Sequence, residues 1–111
     1  MSSLDPAGYL LDLDGTLYSG DAPVPGAVAA IARLRAVGTP FRCVTNTTSR
    51  SRAMLVERLA RYGFDIAAEE IFTATLAGAA AARELGCRTI MPLMPVPALA
   101  DLGGFTLIGG T

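Results

Sequence analysis

YLLDLDGTLY, residues 9–18, is the stretch on which the fold turns. Its first half is a continuous apolar run of the kind that suits a strand covered on both faces of a parallel sheet. Yet it carries Asp12 and Asp14, two residues apart, and breaks at Asp14-Gly15-Thr16. Buried carboxylates are costly unless they are paired, protonated or bound to a metal. Alternation along a strand puts both acids on the same side. The break at Gly15 frees Asp14 to leave the direction that Asp12 takes. An Asp-Gly pair inside an apolar run is also the commonest sign of a tight hairpin turn, so the stretch has two readings until its surroundings are added.

Immediately downstream, GTLYSGDAPVPG (15–26) is rich in Gly and Pro and reads as an irregular connector. From Pro25 to Val37 the apolar positions Val28, Ile31, Leu34 and Val37 recur at helical spacing, with Pro at the start and Gly38 just past the end. FRCVT (41–45) is the second strand candidate and runs straight into the polar cluster NTTSRS. A second helix is predicted over Arg52–Tyr62, ended by Gly63, and an alanine-rich third over Thr75–Leu85, closed by Gly86. Between them Ile71–Thr73 reads as a short extended piece. RTIMPL (88–93) is a third strand candidate weakened by Pro92, Ala98–Leu102 a single helical turn, and Phe105–Ile108 either strand or loop. The alternation predicts an α/β fold, a Rossmann-like parallel sheet with flanking helices.

In such open sheets ligands bind beyond the carboxyl ends of the strands. Asp12 and Asp14 close the first strand, and Thr45 and Asn46 close the second, so one crossover brings all four to one edge. A paired carboxylate suits phosphoryl transfer: one aspartate attacks phosphorus, and the other protonates the leaving oxygen and then activates water. A Mg²⁺ ion held by carboxylate and carbonyl oxygens would keep the first aspartate ionised. The Thr45 hydroxyl, the Asn46 carboxamide and unpaired N–H groups near a helix start supply donors for phosphate oxygens. NTTS before a helix serves equally well as an N-cap cluster. Arg50 and Arg52 read as solvated first-turn side chains, Tyr18 as a half-exposed hydrophobe able to pack over a ligand, and Asp65 with Glu69 as surface acids.

Composition narrows the chemistry further. With 111 residues the chain accommodates one modest domain. It is 51% apolar and 17% charged with net charge −1, which gives no electrostatic case for nucleic acid or an anionic membrane. No apolar run approaches the roughly 18 residues of a membrane helix, and no basic region precedes an apolar one; the expected compartment is the cytoplasm. Cys43 and Cys87 fit neither a disulfide framework nor a CxxC metal site and read as reduced, buried thiols. There is no histidine, and all nine basic residues are arginines. Ser-His and Cys-His nucleophile systems, histidine-bound zinc and lysine Schiff bases are thereby excluded within this chain.

DLDGTLYSGDAPVPGAVAAIARLR (12–35), CVTNTTSRSR (43–52) and LARYGFDIAAEEIFTA (59–74), in that order, resemble the N-terminal half of the haloacid dehalogenase superfamily of phosphohydrolases. The likeness runs from about Gly8 to Leu93. It points to the large-cap branch of NagD-like, 4-nitrophenylphosphatase-like and phospholysine phosphohistidine inorganic pyrophosphate phosphatase-like enzymes. The resemblance implies Asp12 as nucleophile and Mg²⁺ ligand, and Asp14 as general acid and base with its carbonyl as a second metal ligand. It implies Thr45 as the phosphate-binding hydroxyl, with Asn46 and Gly15 beside it, and residues 15–24 as a segment that opens and closes over the site. An aspartate at position 14 resembles the phosphatases more than the dehalogenases.

By the same resemblance a complete member continues through a cap domain, a third-motif lysine or arginine and a fourth-motif acidic pair. Residues 1–111 then correspond to the N-terminal part of the hydrolase core. The expected ligands are Mg²⁺ and a small phosphorylated substrate, with no nucleic acid or membrane partner and a homodimer where a cap is present. A chain holding only Asp12 and one carbonyl is expected to bind Mg²⁺ weakly and to be slow or inactive by itself. The alternative is a non-catalytic relative that binds phosphate or a partner protein.

Overall fold

A computed structural model of the chain describes residues 6–109. The apolar run forms strand β1 (Tyr9–Asp12), and FRCVT forms β4 (Phe41–Thr45). The two lie side by side and parallel, with Tyr9 opposite Phe41 and Asp12 opposite Val44. The third strand of this sheet is not RTIMPL but β5 (Ile71–Thr73), parallel to β4 with Cys43 opposite Ile71 and Thr45 opposite Thr73. The order β1-β4-β5 leaves β4 central.

RTIMPL contributes only β6 (Thr89–Ile90), which pairs parallel with β7 (Thr106–Leu107) in a separate two-stranded ribbon. Pro92 has no N–H to offer a ladder, and this caps the segment's use as a strand. The connector after Asp14 is more ordered than its Gly and Pro content predicts: β2 (Tyr18–Ser19) and β3 (Ala22–Pro23) form a minute antiparallel hairpin. Pro23 sits on an isolated two-stranded piece, where a missing donor disrupts no larger ladder.

Three helices join the strands: α1 (Ala27–Ala36), α2 (Arg52–Arg61) and α3 (Ala74–Glu84). α1 and α2 lay Ala27, Ile31, Leu55 and Leu59 on one face of the sheet, against Leu13, Phe41, Cys43 and Ile71. Burying each of the larger ones, Leu13, Ile31, Phe41, Leu55, Leu59 and Ile71, contributes about 1.5–3 kcal/mol. α2 begins where Ser51 accepts the Met54 N–H at 3.2 Å. It ends at Gly63, whose φ of 98° lies in the left-handed region that favours glycine. A 3₁₀ turn at Val96–Asp101 buries Ala98. Arg35, near the end of α1, donates to the Asp65 carbonyl and to Glu70 and stacks on Phe41 with 4.9 Å to the ring centroid. One arginine thus pins α1 to β4 and to the segment entering β5.

Two exposures depart from the sequence reading. Cys43 is fully buried, but Cys87 is exposed after the end of α3. Tyr18, expected to be half-exposed, is buried in the main core. Asp65 and Glu69 lie at the surface, as expected. None of the helices among the described residues is long and apolar enough to cross a membrane. The molecule measures 50 × 34 × 18 Å.

Candidate active site

Parallel pairing of β1 with β4 carries Asp12, Thr45 and Asn46 to the same carboxyl edge. Asp12, Val44, Thr45, Asn46, Phe72, Thr73, Ala74 and Ala77 line one open depression of about 460 Å³ there. Asp14 belongs to an adjoining one of about 370 Å³, which it shares with Tyr18, Thr45, Asn46, Thr47, Arg50 and Arg58. Thr45 and Asn46 therefore face both acids, and the two carboxylates approach this pair from different sides.

The reason is the turn after β1. The Leu13 carbonyl accepts the N–H groups of Thr16 and Leu17 at 3.1 and 2.9 Å, and Gly15, at φ 84°, donates to the Tyr18 carbonyl at 2.7 Å. A side chain at Gly15 would be strained whatever the space around it. The Gly15 amide is thus spent inside the turn, and Gly15 does not line either depression. Its task is to bend the chain so that Asp14 diverges from Asp12.

Asp12 Oδ1 accepts the Leu13 N–H at 2.9 Å, an arrangement that steadies the carboxylate and leaves Oδ2 to a ligand. The Thr45 hydroxyl accepts from the Thr47 N–H at 3.3 Å. Its own hydrogen remains available to donate. Thr47 in turn accepts from the Ser49 N–H at 3.3 Å. Farther along, the Arg52 N–H goes to Asp101 Oδ2 at 2.7 Å and Ser51 caps Met54. The first amides of α2 are largely committed within the molecule, contrary to the expectation that they stay unpaired. The Thr45 hydroxyl and the Asn46 carboxamide stand at this edge as candidate donors to an anion.

Three contributors escaped the sequence reading. Thr73 caps α3 by accepting the Leu76 N–H at 3.1 Å and also lines the Asp12 depression; a Thr ahead of an alanine-rich helix was the available signal. Asp101 reaches α2 across 49 residues of sequence, which no local pattern reveals. Arg58 lies over the Tyr18 ring, 4.8 Å from its centroid, beside Asp14. Burial raises the Tyr18 phenol above its ordinary value, and the Arg58 charge opposes that rise. Burial also pushes the Cys43 thiol up to about 11, so it stays protonated and has no nucleophilic role at neutral pH.

The oxygen donors at Asp12 and Asp14 fit a hard divalent cation in kind. In number they are few: no cluster of three or more His, Cys, Asp or Glu suited to a metal occurs among the described residues.

A family model described as haloacid dehalogenase-like hydrolase matches residues 9–102, most of the chain. The chain belongs to that family. It is 46% identical over 97 residues to haloacid dehalogenase-like hydrolase domain-containing protein 2 of Rattus norvegicus, covering 86% of this chain and 36% of the relative. It is 39% identical over 85 residues to the human phospholysine phosphohistidine inorganic pyrophosphate phosphatase, covering 73% of this chain and 32% of that one. Among solved structures, the p-nitrophenyl phosphatase of Archaeoglobus fulgidus superimposes with a TM-score of 0.84 at 30% identity, over 94% of this chain and 41% of that protein. The chain therefore spans about a third of the length of the curated relatives it matches.

Proposed function

We propose that the chain provides the nucleophile half of a Mg²⁺-dependent phosphohydrolase acting on small phosphorylated substrates through an aspartyl-phosphate. The observation that carries this reading is the convergence of Asp12, Asp14, Thr45 and Asn46 on two adjoining depressions at one sheet edge. The Asp12 carboxylate attacks phosphorus, and the bond to the leaving oxygen breaks as Asp14 delivers it a proton. Asp14 then takes a proton from water, whose oxygen attacks the phosphorus and returns Asp12 and inorganic phosphate. The Thr45 hydroxyl and Asn46 carboxamide hold the phosphoryl oxygens, and Gly15 shapes the turn that separates the two acids. The Asp12 carboxylate and the Asp14 carbonyl would hold Mg²⁺, which when bound offsets negative charge between carboxylate and phosphate.

The chain contains no lysine, so the reading also expects slow turnover, because electrostatic stabilisation carries most of phosphoryl transfer. The test is Mg²⁺-dependent release of 4-nitrophenol from 4-nitrophenyl phosphate. The expected result is measurable release that Asp12→Asn lowers roughly a thousandfold or more. The absence of a metal-suited cluster among the described residues favours a second reading, a phosphate-binding relative without turnover. Binding of inorganic phosphate with no release of 4-nitrophenol would establish that reading and overturn the first.

A further inference from the structure

The hairpin that follows Asp14 is hydrogen-bonded to α2 at its tip. Arg58 donates from Nη2 to the Gly20 carbonyl at 2.9 Å, and the Tyr62 hydroxyl donates to the same carbonyl at 3.1 Å. Arg58 Nε also donates to the Tyr62 hydroxyl at 3.1 Å, which closes a triangle of three hydrogen bonds. The guanidinium lies over the rings of Tyr18 and Tyr62, at 4.8 and 5.9 Å from their centroids, and the two rings are 5.5 Å apart. Gly20 is the tip of the hairpin between β2 and β3, and Tyr18 is its base.

Tyr18 is bound in turn to the Asp14 turn, because its carbonyl takes the Gly15 N–H. Two strands of two residues each cannot hold a hairpin in water by themselves. From these contacts we infer that Arg58 and Tyr62 form a latch that seats the 18–23 hairpin on α2 and thereby fixes where Asp14 points; they are positioning residues for Asp14. The consequence for catalysis rests on the phosphatase reading above, but the latch itself does not.

Losing the hydrogen bonds of the latch leaves polar groups that water can satisfy. A carbonyl at an exposed tip accepts water if it loses its donors, so breaking the latch does not unfold the core; it releases the hairpin. The Asp14 turn then loses the support that reaches it through Tyr18.

The test uses the full chain, isotopically labelled, with amide hydrogen exchange read residue by residue. The Gly15 and Val24 amides report the turn and the hairpin, since they donate to Tyr18 and Leu17; the β4 amides serve as reference. Arg58→Leu keeps the bulk over the rings and removes every donor. It is expected to speed exchange at Gly15 and Val24 about tenfold and to move the Asp14 carboxyl carbon resonance, with β4 unchanged. Arg58→Lys, which keeps the charge, should restore part of the protection. Tyr62→Phe removes only the hydroxyl and should give a smaller, severalfold increase at the same two amides. Unchanged exchange in both Arg58→Leu and Tyr62→Phe would overturn the latch, and so would an equal increase throughout the sheet. If Arg58→Leu does not fold, Tyr62→Phe decides by the same criteria. None of these readouts needs turnover, so the latch stands or falls by them even in a chain without phosphatase activity.

Discussion

The two faces of the three-stranded sheet are unlike. On one, Leu13 and Cys43 have no exposure at all, and α1 and α2 cover them with Ile31, Leu55 and Leu59. On the other, Leu10 is 77% exposed, Phe72 is 47% exposed, and Arg42 and Asp12 reach solvent. Strand alternation alone divides the residues this way, yet β1 is apolar at both parities. The covered face carries the main core, and the candidate site lies at the carboxyl edge, with Asp12 on the open face.

The largest expected contrast is in thiol reactivity. Cys43 lies on the covered face with its thiol pushed up to about 11, whereas Cys87 is exposed. At neutral pH a disulfide reagent should modify Cys87 at once and Cys43 at least roughly a thousandfold more slowly, limited by unfolding. Comparable rates would show that the covered face opens locally. Next comes Leu59→Ala, which should lower the free energy of unfolding in urea by about 3 kcal/mol. The same measurement on Leu10→Ala should stay within about 0.5 kcal/mol, and similar costs at both sites would erase the distinction between the faces.

A smaller effect is expected at the Arg35–Glu70 pair. The hydrogen bond from Arg35 holds the Glu70 carboxyl below its ordinary value. Its contribution is then present at pH above the unfolded carboxylate value and is lost as pH falls through the lower folded one. Arg35 is about one-third exposed, so screening limits the pair, and Glu70→Gln should cost about 1 kcal/mol at pH 7. The difference between wild type and variant should shrink toward acid pH; a gap independent of pH would assign the loss to packing. Smallest in stability, Leu10→Lys should leave unfolding nearly unchanged while raising solubility, because charge on an edge strand blocks strand addition. A loss of more than about 1 kcal/mol would mean that Leu10 is covered in solution.

Much of the sheet was readable in advance. β4 matches FRCVT residue for residue, and all three helices lie within about two residues of their predicted bounds. The apolar period and the Gly and Pro punctuation carried that information. The placement of Asp12 and Asp14 at an edge shared with Thr45 and Asn46 was equally legible, because it follows from one parallel crossover. What could not be read was non-local. Nothing near RTIMPL says that its partner is Thr106–Leu107 rather than the main sheet. Tyr18 is buried because Arg58 and Tyr62 close over it, forty residues or more downstream. The Arg52 amide of α2 looked unpaired because Asp101 is remote in sequence.

The order of the strands has a consequence for how the protein is made. β1, β4 and β5 stand in space in the order in which they are synthesised, so no strand has to be inserted between two that have already met. A chain leaving the ribosome can pair β1 with β4 as soon as α1 has formed behind them, then extend the sheet by β5. Each addition closes a loop of only about thirty residues, a modest entropic cost at every step.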